Sequence, residues 1–150
     1  MVRHYTETIS TDTTILDPVR VFEFLRALKG HLLFSSKCQV VLEASLRGEL
    51  TLRSHSESSS IRTFFGKLAS RREGCRKGKG SCCLKVDTKN LVASLQWQQA
   101  SMFPNVTNAL FCFIENEMLV LHVRLNPENL GFFTYYVPVH FLSEDESLDE

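Results

Sequence analysis

Three features of this chain point to an α+β domain made of one βαβββ unit written twice, with the helices on one face of a sheet. Asp17 and Asp87 each stand before a run of apolar residues at helical spacing, and the two runs match at an offset of seventy: Val21, Phe22 and Leu25 against Leu91, Val92 and Leu95. A short β-rich stretch precedes each run, at 13–16 and 83–86. Three strand-like runs follow each. Self-similarity of this kind takes priority over other signals. Two such units side by side make a scaffold for assembly and surface contact more than for catalysis.

The elements follow in order. Residues 13–16 form the first strand. Asp17 suits a helix N-cap and Pro18 the first helical position, where its missing N–H costs nothing. Val21, Phe22, Leu25 and Leu28 then make an apolar stripe, and Gly30 is expected to end the helix. From Gln39 to Leu46 the chain alternates, with Val40, Leu42, Ala44 and Leu46 on one face and Val41, Glu43 and Ser45 on the other. Arg47-Gly48 turns it, and 49–54 returns with Leu50 and Leu52 inward, a hairpin with one wet face. A third strand, Ser60 to Phe65, comes after a serine-rich turn. The stretch 66–81 carries three glycines beyond Gly66 among many Arg and Lys residues and reads as a mobile loop.

The second unit opens at 83–86. Asp87 or Thr88 caps a helix running to about Gln98, with Leu91, Val92 and Leu95 inward. Residues 108–114 and 118–125 make a hairpin across Glu115-Asn116, the run 126–129 turns again, and 132–139 is the last strand. The expected organisation is a flexible lead-in over 1–12 and a single domain over 13–142. Within that domain, 13–65 is the first unit, 66–82 a basic loop and 83–142 the second unit. An acidic, disordered tail follows over 143–150.

With 150 residues the chain can bury a proper core as one domain. Its composition, 43% hydrophobic and 23% charged, is that of a soluble globular protein. Net charge is zero, but its distribution is uneven. Nine basic residues between Arg62 and Lys89 face only Glu73 and Asp87, whereas 115–150 holds eight acidic residues against Arg124 alone. Such asymmetry bears on partners, not on fold. Arg71, Arg72, Arg76, Lys77 and Lys79 form the densest basic group. It is open to three readings: a solvated connection, a localisation signal of the Lys/Arg-rich type, or a nucleic-acid contact.

No apolar run approaches the roughly 20 residues that span a bilayer, and 1–14 lacks the apolar core of a signal peptide. The five cysteines are therefore expected as reduced thiols, and Asn105-Val-Thr107 as a chance match to the glycosylation pattern.

Catalysis is the weakest reading. Cys75, Cys82 and Cys83 lack the paired spacing of a zinc site, and Cys38 and Cys112 read as core. His4, His31, His55, His122 and His140 are scattered, His122 within an apolar strand. No nucleophile–base grouping or glycine-rich phosphate loop appears. No catalytic residue, metal site or cofactor is expected. A module for single-stranded RNA is disfavoured because the basic loop holds no aromatic residue to stack on bases.

Four segments, in order along the chain, resemble the C-terminal domain of the Hus-one checkpoint proteins. They are the hairpin Gln39-Val-Val-Leu-Glu-Ala-Ser-Leu-Arg-Gly-Glu-Leu-Thr-Leu52, the helix Val86-Asp-Thr-Lys-Asn-Leu-Val-Ala-Ser-Leu95, the hairpin Ala109-Leu-Phe-Cys-Phe-Ile-Glu-Asn-Glu-Met118 and the strand Thr134-Tyr-Tyr-Val-Pro138. The resemblance covers about 13–139. It implies one DNA-clamp (PCNA-like) domain and a non-catalytic subunit of the nine-one-one clamp, a ring that encircles DNA and supports damage signalling and repair. Each full subunit of that family has two such domains, and only the second is matched here.

Several roles follow from the resemblance alone. The helices would line the hole, making Arg20, Arg26, Lys29 and Lys89 the DNA-facing candidates for sequence-independent phosphate contact. The ring would close by strand addition between two exposed edges. One edge is Ser60, Ile61, Arg62, Thr63, Phe64 and Phe65; the other is Phe132, Phe133, Thr134, Tyr135, Tyr136 and Val137. The implied partners are the other two checkpoint-clamp subunits and duplex DNA, with no membrane. The implied location is the nucleus, the cytoplasm remaining open. A bare last strand, β-prone and uncharged, invites self-association. The rival reading is an adaptor that mimics half a clamp, or a stand-alone module that meets an acidic partner through its basic loop.

Overall fold

The computed structural model describes residues 13–35, 37–73, 80–99, 108–124 and 131–140. In chain order the elements are β1 (Thr13–Arg20), α1 (Val21–Phe34), β2 (Gln39–Ser45), β3 (Glu49–His55), β4 (Ser60–Phe65) and β5 (Ala69–Glu73). Then come β6 (Ser81–Asp87), α2 (Thr88–Gln99), β7 (Asn108–Ile114), β8 (Met118–Arg124) and β9 (Phe132–Pro138). Two antiparallel sheets result, a five-stranded one ordered β5-β1-β7-β8-β9 and a four-stranded one ordered β4-β3-β2-β6. The twofold βαβββ order holds, with β5 added between the units. The opening strand of each unit joins the other unit's sheet: β1 pairs with β7 and β6 with β2.

Alternation works as the strands require. Val40, Leu42, Ala44, Leu50 and Leu52 bury on the inner face of the four-stranded sheet; Phe111, Phe113, Leu119, Leu121 and Val123 bury on the inner face of the other. With the stripes of both helices they form one core cluster. Phe24 sits at its centre, edge-on to Phe111 with ring centroids 4.8 Å apart at 88°, an arrangement adding about 0.5–1.5 kcal/mol beyond area burial. The outer faces are not uniformly wet. Ile15, Cys112, Ile114 and Val120 form a second buried cluster, and Val41 and Arg53 on the outer face of the four-stranded sheet are buried as well.

Helix α1 departs from expectation at both ends. Asp17 and Pro18 lie inside β1, joined by a cis peptide bond, so neither caps a helix. The ladder to β7 shifts register between Leu16 and Val19, and such an irregularity accommodates a residue with no N–H to donate. Arg20 takes the N-cap position with extended backbone and makes no side-chain cap bond. Gly30 does not end the helix. It is exposed within α1, which continues until the Ser35 N–H closes on the His31 carbonyl.

The late start rotates the stripe. Val21, Phe24, Leu25, Leu28 and His31 are buried, while Phe22, expected inward, is 51% exposed. Among the described side chains of α2 the buried ones are Thr88, Leu91, Val92 and Leu95. First helical residues Val21 and Thr88 place the structural repeat at an offset of sixty-seven, not seventy. A helix stripe nearly matches itself when moved three residues, which rotates it by only about 60°; the offset of seventy is that false match. Asp87 does cap α2, its Oδ1 accepting the Asn90 N–H at 3.0 Å.

The stretch 66–81 is not all loop, since β5 lies within it and pairs with β1 from Thr13↔Glu73 to Asp17↔Ala69. The β2–β3 turn is fixed by Gly48, whose φ of +82° and close approach to the Leu68 backbone carbonyl leave no room for a Cβ. Its carbonyl accepts the Leu68 N–H at 3.0 Å, which leads the chain into β5. The expected flexible lead-in 1–12, the turn 126–129 and the acidic run 143–150 lie outside the described residues.

Candidate assembly and nucleic-acid surfaces

The two helices pack against each other and present one shared outward surface. Arg20, Arg26, Lys29 and Lys89 are all exposed. Arg20 stands at the β1–α1 junction, Arg26 and Lys29 on α1, and Lys89 in the first turn of α2. Glu23 is the one acidic residue on the exposed part of either helix among the described residues. Arg26 lies over the Phe22 ring, 5.8 Å from its centroid, so the aromatic ring displaced from the core supports a cation one turn on. Leu33 stands nearby on α1, 90% exposed. A face with four exposed cations can neutralise phosphates without reading sequence.

The basic group divides. Arg71 and Arg72 belong to β5, opposite Ile15 and Thr14; Arg71 is exposed and Arg72 half-buried. Arg76, Lys77 and Lys79 lie outside the described residues.

Strands β4 and β9 are each the last in their sheet. On β4, Ser60, Arg62 and Phe64 are exposed, Phe64 at 59%, while Ile61, Thr63 and Phe65 are half-buried. On β9, Phe133 and Tyr135 stack with centroids 6.4 Å apart on the inward side. Thr134 is half-buried, Tyr136 is 53% exposed and Val137 is buried. Phe132 pairs with Arg124 at the start of the β8–β9 ladder. The other two sheet ends are β5 and β6. The β6 edge is touched by the chain leaving β9: the His140 N–H donates to the Lys85 carbonyl at 2.7 Å.

One polar feature went unread in the sequence. His31 is buried, with Nδ1 2.7 Å from Ser54 Oγ and Nε2 2.8 Å from Thr63 Oγ1. It thus joins α1 to β3 and to the edge strand β4. Burial lowers its pKa below that of a free imidazole. The signal was available, because His31 follows Leu28 by three on the same stripe. His122 also has a partner, with Nδ1 3.2 Å from Thr134 Oγ1 on β9.

Among the described residues no three His, Cys, Asp or Glu side chains stand close enough to hold a metal ion. Nor is any helix among them long and apolar enough to cross a membrane.

No protein-family model matches the sequence, and no curated protein matches it significantly. Solved structures do. The DNA polymerase III subunit beta of Borrelia burgdorferi superposes with a TM-score of 0.62 at 14% identity, over 90% of this chain and 31% of its own. PCNA of Thermococcus kodakaraensis gives 0.63 at 16%, over 87% and 48%. The proliferating cellular nuclear antigen of Entamoeba histolytica gives 0.66 at 12%, over 89% and 47%. The fold is that of one sliding-clamp domain. This clamp-like chain spans from about a third to about half the length of those structures.

Proposed function

We propose that the chain is a non-catalytic, Hus-one-like component of a DNA-encircling checkpoint clamp that acts in damage signalling and repair. The observation that carries this reading is a sliding-clamp domain whose two sheets end in β4 and β9. Open strand edges recruit further chains through main-chain hydrogen bonds, with side chains supplying the selectivity. On this reading β4 of one domain receives β9 of its neighbour, and the other two checkpoint-clamp subunits are the neighbours. Arg20, Arg26, Lys29 and Lys89 face the duplex and contact its backbone. The protein works in the nucleus.

The test is co-purification of the chain with the other two subunits from its own source, followed by sizing. A defined complex is expected. A well-folded chain that binds neither subunit sinks the reading.

The second reading is an adaptor that mimics half a clamp and joins a neighbour through one open strand edge, such as β4. It predicts one bound neighbour and no enclosed DNA, so the stoichiometry of the sized complex separates the two.

A further inference from the structure

One row along α1 combines charge with apolar surface in a way that phosphate contact does not require. Phe22, Arg26, Lys29 and Leu33 are all exposed, and they follow one another at spacings of four, three and four residues. That is the spacing of a seam along which a second helix packs lengthwise. The row covers about 16 Å of helix. Its ends are apolar, Phe22 half-exposed and Leu33 almost wholly so, and its two middle positions are cations. Cations alone suffice to neutralise phosphates; Leu33 offers a phosphate backbone nothing.

A glycine beside the row is a second, independent sign. Gly30 follows Lys29 inside α1 and is exposed, and a Cβ added there meets nothing within 4 Å. The fold itself therefore has no need of a glycine at this position, where glycine destabilises the helix relative to alanine. What a glycine does permit is the close approach of an outside backbone. Charge then narrows the choice of occupant. The same surface carries Arg20 and Lys89, against Glu23 as the one exposed carboxylate among the described residues of the helices.

We propose that this face of α1 binds an acidic amphipathic helix of another protein, laid lengthwise, with apolar side chains on Phe22 and Leu33 and carboxylates on Arg26 and Lys29. The Arg26 guanidinium already lies over the Phe22 ring, which pre-positions both at one end of the row. Polar positions within a seam set register and partner at a cost in stability. Here they select carboxylates and reject a second copy of α1, whose own middle positions are cations too. The proposal does not rest on the clamp reading. If both hold, the docked helix and duplex DNA compete for Arg26 and Lys29.

The test titrates the full chain with a synthetic peptide of about 20 residues, long enough to hold a helix, carrying Leu, Glu, Glu and Leu at spacings of four, three and four. A control peptide has the same composition with those residues scrambled. Fluorescence anisotropy of the labelled peptides is expected to show the patterned one binding one to one, and about tenfold or more tighter than the control. Phe22→Ala combined with Leu33→Ala should weaken it by about tenfold or more, since both truncations remove apolar surface that the contact buries. That variant keeps all four cations, so its binding to a DNA duplex should change little. Gly30→Gln should raise the thermal midpoint yet weaken the peptide. Equal binding of the two peptides, or none, overturns the proposal. So does a double variant that binds the patterned peptide as well as the unaltered chain. Sizing that shows the unaltered chain paired and the double variant single would also overturn it, because the occupant would then be a second copy.

Discussion

His31 shows how a single side chain couples a helix to the margin of a sheet. Its two ring nitrogens reach Ser54 and Thr63, so the edge strand β4 is held from beneath through an imidazole. In the folded chain burial lowers the His31 pKa, so the unfolded chain takes up the proton first as pH falls. The fold therefore keeps the full benefit of neutral His31 above the ordinary histidine pKa of about 6.5. It loses that benefit as pH drops from there through the lowered folded value. Urea midpoints at pH 7.5 and 5 are expected to differ less for His31→Gln than for the unaltered chain. An equal pH dependence in both would refute this. His31→Ala removes two hydrogen bonds, worth about 1 kcal/mol each. At this scale the sequence was only partly legible. The apolar stripe of α1 could be read, yet which of Phe22 and Phe24 turned inward depended on where the helix began. Val41 and Arg53 looked like wet-face residues, and only the finished sheet shows them buried.

The strands of the two hairpins were readable as elements because alternation declares them. The helices were readable too, though not their boundaries. Asp17-Pro18 carries a strong cap signal, and the packing of β1 against β7 outweighs it. Strand β5 was hidden for a different reason: an edge strand tolerates charge, even profits from it, so Arg71 and Arg72 read as loop. The edges themselves carry a prediction. Strand β9 shows a β-prone, uncharged stretch at the end of its sheet. Tyr136→Lys puts a charge on its outward face, one device by which edges resist pairing. Sedimentation across a concentration series is expected to show the unaltered chain self-associating and the Lys variant shifted toward monomer. A chain that stays monomeric throughout would remove β9 as an assembly edge.

For the molecule as a whole, charge placement outweighs net charge, which is zero. If the helix face meets duplex DNA, changing Arg20, Arg26, Lys29 and Lys89 together to Gln should weaken binding alike on all sequences. The slope of log K against log salt should fall by up to about 0.9 per lost phosphate contact. An unchanged slope would assign the DNA contacts elsewhere. The α+β class could be read from the order of strand-like and helix-like runs, and the clamp-like resemblance from four segments along the chain. The exchange of opening strands could not. β1 and β6 carry nothing local that says which sheet they will join; that choice is made by the registers Thr14↔Phe113 and Leu42↔Leu84 across the finished core.

That exchange gives the chain a property that neither repeat has alone. The first half lends β1 and β5 to the other's sheet and receives β6 in its own, so half of this sequence is not half of this fold: without β6, β2 loses one of its two partners, and without β1 the same happens to β7. The halves are mutually templating. A break in the backbone between β5 and β6 would yield two pieces, each an incomplete mould of the other, and mixing them should rebuild one domain where neither holds shape by itself.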